Sequence, residues 1–177
     1  MALERIVFSG FGGQGLMFIG KLFARIMANK VDNITFFPSY GSEVRGGTAN
    51  CQVIMSSEEI SSPIVERADS LILMNQPSVD RFMPVLTEGG VAFVNSSLSE
   101  VPIDSRVIAM PATEMGLEAG DEKSANVVIF GAFIRKKEFF ELEKAKEYSG
   151  AISAVKGKRA EEINIKALQS GWDFIGE

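Results

Sequence analysis

Short apolar runs alternate along this chain with longer segments in which apolar and polar residues recur at helical spacing. Runs rich in β-branched and aromatic residues predict buried strands, and Gly10 is expected to end the first of them. The predicted strands are Arg5–Ser9, Asn33–Phe37, Thr48–Met55, Asp69–Met74, Val91–Asn95 and Arg106–Met110. Several of the intervening segments are long enough for the crossover helices that parallel neighbouring strands require.

Three stretches predict helices. Leu16–Asn29 is apolar almost all round, as in a helix packed between a sheet and a neighbouring element. Asn126–Ile134 is apolar without a clear period, and the glycine and alanine at its middle favour a buried helix over a strand. Glu141–Phe174 has the charge density of surface helices, with breaks expected at Gly150 and Gly157.

The alternation of strands and helices predicts a three-layer α/β/α fold with a mostly parallel, Rossmann-like sheet of about six strands. The chain has 177 residues, of which 46% are hydrophobic. That length suits one compact core, which buries roughly two thirds of the unfolded surface. We therefore expect residues 1–177 to form a single domain.

Composition excludes several classes of function. The net charge of −5 and the scattered basic residues disfavour a nucleic-acid partner, and the cluster between Lys144 and Arg159 is diluted by glutamates, which favours a solvated helix face over an anion site. There is no histidine, so Ser-His-Asp and Cys-His catalysis are excluded. The single cysteine, Cys51, cannot hold an iron–sulfur cluster, and its apolar surroundings predict a core residue.

Membrane insertion is not expected, because no uninterrupted apolar run reaches the roughly 20 residues that a membrane-spanning helix needs. The opening residues also lack the charged lead and apolar stretch of a secretory signal. We therefore expect a cytoplasmic protein.

The turn between the first strand and the first helix, Gly10-Phe-Gly-Gly-Gln-Gly15, has the G-x-G-x-x-G spacing. In this context backbone N–H groups and the positive end of the helix receive a pyrophosphate. Gly10 allows a sharp turn, Gly12 and Gly13 remove side chains that would block a ligand, and Gly15 lets the helix approach the strand. A tight turn that binds no ligand remains the alternative.

A nicotinamide dinucleotide site would also need an acidic residue at the end of the second strand. Phe36, Phe37, Pro38 and Ser39 occupy that place, which disfavours such a site. The loop that follows is rich in turn-forming residues but also holds Glu43 and Arg45. These two residues either bind a partner or pair with each other in a structural loop.

The chain resembles the gamma subunit of 2-oxoacid:ferredoxin oxidoreductases, which is equivalent to domain III of single-chain pyruvate:ferredoxin oxidoreductase. The resemblance extends from about residue 5 to residue 131. The stretches that carry it are Gly10–Gly15 followed by Gly20-Lys21, Ser39–Gly47, Ile60–Pro63, Asn75-Gln76, Gly89-Gly90, Pro111–Glu114, and Asn126 with Gly131.

The resemblance implies a complex that oxidatively decarboxylates a 2-oxoacid, forms acyl-coenzyme A and reduces ferredoxin. It places thiamine diphosphate, magnesium and the iron–sulfur clusters on partner subunits, namely thiamine-binding alpha and beta chains and a ferredoxin-like chain. As part of the same resemblance, the residues of the loop Ser39–Gly47 favour 2-oxoglutarate or a branched-chain 2-oxoacid over pyruvate. The alternatives from other classes are a stand-alone nucleotide- or coenzyme A-binding module and a purely structural scaffold.

For this chain we hypothesise a coenzyme A site and assign no catalytic residue or metal ligand. Four loop amides would meet the pyrophosphate, one basic side chain would add charge, and three polar residues after another strand would line the crevice. The predicted site residues are Gly12, Gly13, Gln14, Gly15, Lys21, Arg45, Asn95, Ser96 and Ser97.

Overall fold

A computed structural model describes residues 3–39, 48–153 and 157–176, without the side chains of residues 148–153. The chain divides into two compact units, Met1–Ala109 and Met110–Glu177. The organisation of residues 1–177 as a single domain stays a prediction from length and composition.

The first unit is built on a six-stranded sheet with the strand order β2-β3-β1-β4-β5-β6. The strands are β1 (Glu4–Phe11), β2 (Asn33–Ser39), β3 (Thr48–Ser56), β4 (Ala68–Leu73), β5 (Leu86–Asn95) and β6 (Val107–Met110). Helix α1 (Leu16–Met27) follows β1, and helix α2 (Gln76–Phe82) with a short 3-10 turn (Met83–Val85) follows β4. The α/β class and the six predicted strands are confirmed, although β1 continues through Gly10 to Phe11.

The sheet is mixed rather than mostly parallel. β1 pairs in parallel with β4, and β4 with β5, whereas β3 is antiparallel to both β1 and β2. The reason lies in the connection between β2 and β3, because residues 40–47 are too few for the crossover that a parallel neighbour requires. β3 therefore reverses direction and separates β2 from β1.

Helices α1 and α2 lie on opposite faces of this sheet. Phe8 faces α1, where its ring centroid is 6.2 Å from that of Phe23. Val7 belongs to a buried cluster with Val79 and Phe82 of α2. Because neighbouring residues of a strand point to opposite faces, the two contacts establish the expected three layers.

An ion pair near the amino end of β1 fixes that strand to β4. Arg5 Nε donates to Asp69 Oδ2 at 2.9 Å and Arg5 Nη2 to Asp69 Oδ1 at 3.0 Å. Burial alone would raise the pKa of Asp69, but the hydrogen bonds from the Arg5 side chain and backbone hold that pKa below its ordinary value. Asp69 is therefore ionised at neutral pH and neutralises Arg5.

The second unit is helical, and its elements are α3 (Ala112–Ala119), a 3-10 turn (Glu122–Ser124), α4 (Ala125–Lys137), α5 (Leu142–Ser153) and α6 (Lys158–Phe174). The helix predicted over Asn126–Ile134 is confirmed, and every residue of that stretch is buried. A break does occur at Gly157, just before α6. The break expected at Gly150 was wrong, because a helix tolerates one glycine at a cost of about 1 kcal/mol and α5 continues through it.

Candidate functional site

The carboxyl ends of β1 and β4 are adjacent and form a topological switch point. β1 leads through the glycine turn into α1 on one face of the sheet, and β4 leads through Asn75 into α2 on the other face. Parallel strands whose connections diverge in this way leave a crevice beyond their carboxyl ends, which is where open α/β sheets bind ligands. The fold therefore places the predicted loop at a favourable position for a ligand.

Gln14 closes the glycine turn on itself. Its backbone N–H donates to the Phe11 carbonyl oxygen at 3.2 Å, and its side-chain Oε1 accepts from the Phe11 N–H at 2.6 Å. The Gln14 amide is therefore already engaged within the protein, unlike the free donor that the G-x-G-x-x-G spacing led us to expect. Gln14 therefore closes the turn through its backbone and its side chain.

Gly12 and Gly13 form the open part of the turn. Both are exposed, and a Cβ added to either would find no protein atom within 4 Å. Gly13 and Gly15 have φ values of 95° and 73°, which disfavour other residues, whereas Gly12 has no such backbone constraint. At Gly12, therefore, neither a neighbouring protein atom nor a positive φ requires glycine.

The amino end of α1 is free of side-chain caps. Gly15 is the N-cap residue, no side chain caps the helix, and the first turn holds no acidic residue. The first amides of a helix lack partners within the helix, and its amino end carries a partial positive charge. This end of α1 consequently suits an anion, as does the open turn before it.

A polar network lines the same edge of the sheet. Asn75 Oδ1 accepts from the backbone and hydroxyl of Ser78 at 3.0 and 2.6 Å, and the hydroxyls of Ser78 and Ser9 are 2.9 Å apart. The Met74 N–H donates to the Ser9 carbonyl oxygen at 2.9 Å, which ties β4 to β1 just before the turn. The roles of Ser9 and Ser78 were not predicted from the sequence, although Asn75, three residues before Ser78, is a recognisable N-cap signal.

The three predicted residues at the carboxyl end of β5 include one, Asn95, whose side chain forms hydrogen bonds within the protein. Asn95 is fully buried, donates from Nδ2 to the Met74 carbonyl oxygen at 3.5 Å, and accepts the Ser97 N–H at 3.3 Å. Ser96 and Ser97 are half-buried at the carboxyl end of β5. The structure thus brings Asn95 to the same edge as Met74, and the part these residues play in binding stays a prediction.

Of the two predicted basic residues, the structure describes only Lys21. Lys21 lies on the exposed side of α1 with Phe18 and Arg25, beyond the first turn of the helix. Arg45 lies outside the described residues, as does the loop 40–47 that contains it. Of the predicted site, the described residues therefore establish the open turn and the polar edge, and they place Lys21 away from both.

A family model of pyruvate ferredoxin/flavodoxin oxidoreductase matches residues 5–174. The chain belongs to this family. The family match spans both compact units, including α5 and α6, which lie beyond the residues on which the sequence resemblance rested.

Similar proteins from archaea support the assignment to the oxidoreductase family. The 2-oxoglutarate synthase subunit KorC of Methanocaldococcus jannaschii is 32% identical over 98% of this chain and 95% of its own length. The ketoisovalerate oxidoreductase subunit VorA of Methanothermobacter marburgensis is 31% identical over 96% of this chain. This chain spans only 36% of that longer relative.

Solved structures share the fold. The gamma subunit of a keto/oxoacid ferredoxin oxidoreductase from Geobacter sulfurreducens has a TM-score of 0.83 and 27% identity, covering 99% of this chain and 97% of that one. A 2-oxoglutarate:ferredoxin oxidoreductase from Magnetococcus marinus, with 2-oxoglutarate, coenzyme A and succinyl-CoA bound, has a TM-score of 0.81. The match covers 99% of this chain and 31% of that one at 22% identity, and it establishes a shared fold only.

The cysteine of this family member is not placed for redox or nucleophilic chemistry. Burial raises the pKa of Cys51 to about 12, and its thiol donates to the Leu16 carbonyl oxygen at 3.4 Å, so it is a core residue as expected. Among the described residues, no three acidic, cysteine or histidine side chains gather as metal ligands. Within the same residues, no helix combines the length and the apolar character needed to cross a membrane.

Proposed function

We propose that this chain is the gamma component of a cytoplasmic 2-oxoacid:ferredoxin oxidoreductase, which converts a 2-oxoacid to acyl-coenzyme A and carbon dioxide and reduces ferredoxin. Family membership supports the proposal, as does the near full-length match to subunits named for 2-oxoacid chemistry. The names of the similar subunits favour 2-oxoglutarate or a branched-chain 2-oxoacid as the substrate. Oxidation rates of the purified complex with these acids and pyruvate test that choice.

The proposed chemistry is divided among subunits. Iron–sulfur clusters need about four thiolates each, and this chain has one buried cysteine and no histidine. The proposal therefore places thiamine diphosphate and magnesium on the alpha and beta chains and the clusters on a ferredoxin-like chain. What remains for this chain is binding and assembly.

The contribution proposed for this chain is to receive the pyrophosphate of coenzyme A at Gly12 and Gly13. The observation that carries it is the open space above these two glycines, in front of a helix end without a capping side chain or an acidic residue. A pyrophosphate fits this place because exposed amides and the positive helix end both favour an anion. Gly15, at the N-cap, allows the bend between the turn and the helix.

Binding of coenzyme A to the complex, with the Gly12→Val variant in place of the wild-type chain, tests this role. The valine Cβ would find no protein atom within 4 Å and the side chain would cover the open amides, so affinity should fall by about tenfold or more. Gly89→Val is the matched control, because Gly89 is also exposed and open but lies within β5. Equal affinities for wild type and Gly12→Val, measured by calorimetry, would contradict the proposed coenzyme A role.

A further inference from the structure

A cleft of about 410 Å³ opens at the edge of the sheet opposite the glycine turn. Arg5 and Ile54, which pair across β1 and β3, form its inner wall, and Ser56 ends β3 beside it. The stretch from residue 57 to 62 and Ile64 complete it, together with Leu3. From Arg5, β1 extends six residues to Phe11, a distance of about 20 Å at 3.3 Å per residue, so the cleft is remote from the proposed coenzyme A site.

Two aliphatic side chains of this cleft are left exposed. Leu3 is 50% exposed and Ile64 is 56% exposed, and both line the same opening. Ile60, also in the lining, is half-buried against the core cluster that contains Val7 and Val79. Apolar side chains gathered around a depression are typical of the anchors of protein interfaces.

The described side chains of the cleft carry a net negative charge. Among the described residues of the lining, Arg5 is the one basic residue, and Asp69 neutralises it through the two hydrogen bonds described above. Glu58 and Glu59 are both exposed at the rim. An occupant with a lysine or arginine beside an apolar group would therefore complement the cleft in both charge and hydrophobicity.

Hydrogen bonds hold the segment around the cleft in place. The Glu58 N–H donates to Ser56 Oγ at 2.9 Å, and the Ile64 N–H donates to Ser62 Oγ at 3.2 Å. The next residue, Val65, donates its N–H to the side-chain oxygen of buried Gln52 at 2.6 Å. A surface fixed in this way loses less conformational entropy on binding than a free loop would.

We propose that this cleft binds a polypeptide segment of another subunit of the oxidoreductase complex, one that places an aliphatic or aromatic side chain next to a lysine or arginine. The inference rests on the proposed function, which makes this chain one subunit of several. A polypeptide suits the cleft better than a small molecule, because Leu3 and Ile64 extend their apolar surface outward rather than around an enclosed cavity.

The first test measures the affinity between this chain and the remaining subunits of its complex. In one variant Leu3→Asp and Ile64→Asp are combined, and in a second Glu58→Lys and Glu59→Lys reverse the charge. Each should raise the Kd by at least about tenfold, because the first removes apolar contact and the second repels the basic group. Leu117→Asp and Glu118→Lys are the matched controls, since both residues are exposed in α3 and outside the lining, and they should stay within about twofold of wild type.

A cross-linking test identifies the occupant. Ser61 is exposed in the lining, and the native Cys51 is buried with a pKa of about 12, so a photoactivatable maleimide would label a Ser61→Cys variant at the new thiol alone. In the assembled complex this label should join one partner subunit at a peptide that contains lysine or arginine. The same label on Glu118→Cys should not give that product.

The outcomes separate the two proposals. If the wild-type chain assembles with no other subunit, the proposed function fails and the docking inference fails with it. If the wild type assembles and both cleft variants bind the other subunits as tightly as the wild type does, only the docking inference is overturned. A cleft that holds a small molecule would give this result. Circular-dichroism melting of every variant, compared with the wild type, distinguishes lost affinity from unfolding.

Discussion

Glycine occurs in two contrasting settings in this molecule, the turn after β1 and the pair of helices α4 and α6. In the turn, a Cβ added to Gly12 or Gly13 would meet no protein atom within 4 Å. In the helices, a Cβ on Gly131 would lie 3.0 Å from the Trp172 nitrogen, and one on Gly171 would lie 3.1 Å from the Ala132 nitrogen and overlap the Val128 carbonyl oxygen. One pair of glycines faces open space and the other faces backbone.

The contrast separates two reasons for a missing side chain. Between α4 and α6, glycine lets two helix backbones come closer than any larger residue would allow, so it serves packing. In the turn no packing partner uses the space, and an exposed backbone is available to something outside the chain. The spacing of glycines in a sequence does not distinguish these cases, whereas the atoms around each glycine do.

Replacing Gly171 should give the largest effect. In Gly171→Ala the new methyl group meets the Val128 carbonyl of α4, and because backbone atoms cannot turn aside, the helices must separate. We expect the free energy of unfolding to fall by about 3 kcal/mol, at the upper end of the usual cost of overpacking. Urea denaturation measures the loss, with Gly89→Ala as an open-glycine control, and a loss below 1 kcal/mol would mean that the helices separate at little cost.

Gly20 should show an intermediate effect, because its nearest neighbour is a side chain rather than backbone. In Gly20→Ala the methyl group would overlap Cys51 Sγ and lie 3.3 Å from the Phe36 ring. We expect a loss of about 2 kcal/mol from the crowding between α1 and β3.

Removal of the sulfur should relieve that crowding. In the Gly20→Ala, Cys51→Ala double variant the loss should be at least about 1 kcal/mol smaller than the sum of the two single losses. Urea denaturation of the four proteins in this cycle measures the coupling. Additive losses would show that the crowding arises elsewhere than at Cys51.

The sequence predicted the strands better than their arrangement. The apolar runs located all six strands, and the composition of Asn126–Ile134 identified α4 correctly. The direction of β3 was missed because strand patterns carry no information on which strands pair, although the short connection 40–47 was a usable signal.

Within the candidate site, the sequence likewise did not show which side chains contact each other. The glycine spacing located the open turn, but it gave no indication that Gln14 folds back onto the Phe11 N–H. The cleft could not be predicted, because the pairing of β1 with β3 brings Leu3 near Ile54, and the hydrogen bond from Val65 to Gln52 brings Ile64 back to β3. The types and spacing of residues followed from the sequence, whereas side-chain contacts, both local and distant, needed the fold.

The smallest effect on stability is expected at the open turn, and it tests the contrast most directly. Gly12→Ala places a methyl group in empty space at a position without a positive φ, so the free energy of unfolding should change by less than about 0.5 kcal/mol. Gly13→Ala is the comparison, because at a φ of 95° an alanine should cost about 1–2 kcal/mol although its methyl group is equally unobstructed. Thermal or urea denaturation distinguishes the two. A substantial loss in Gly12→Ala would show that its space is needed by the protein itself, and the argument that the turn is kept open for a ligand would then fail.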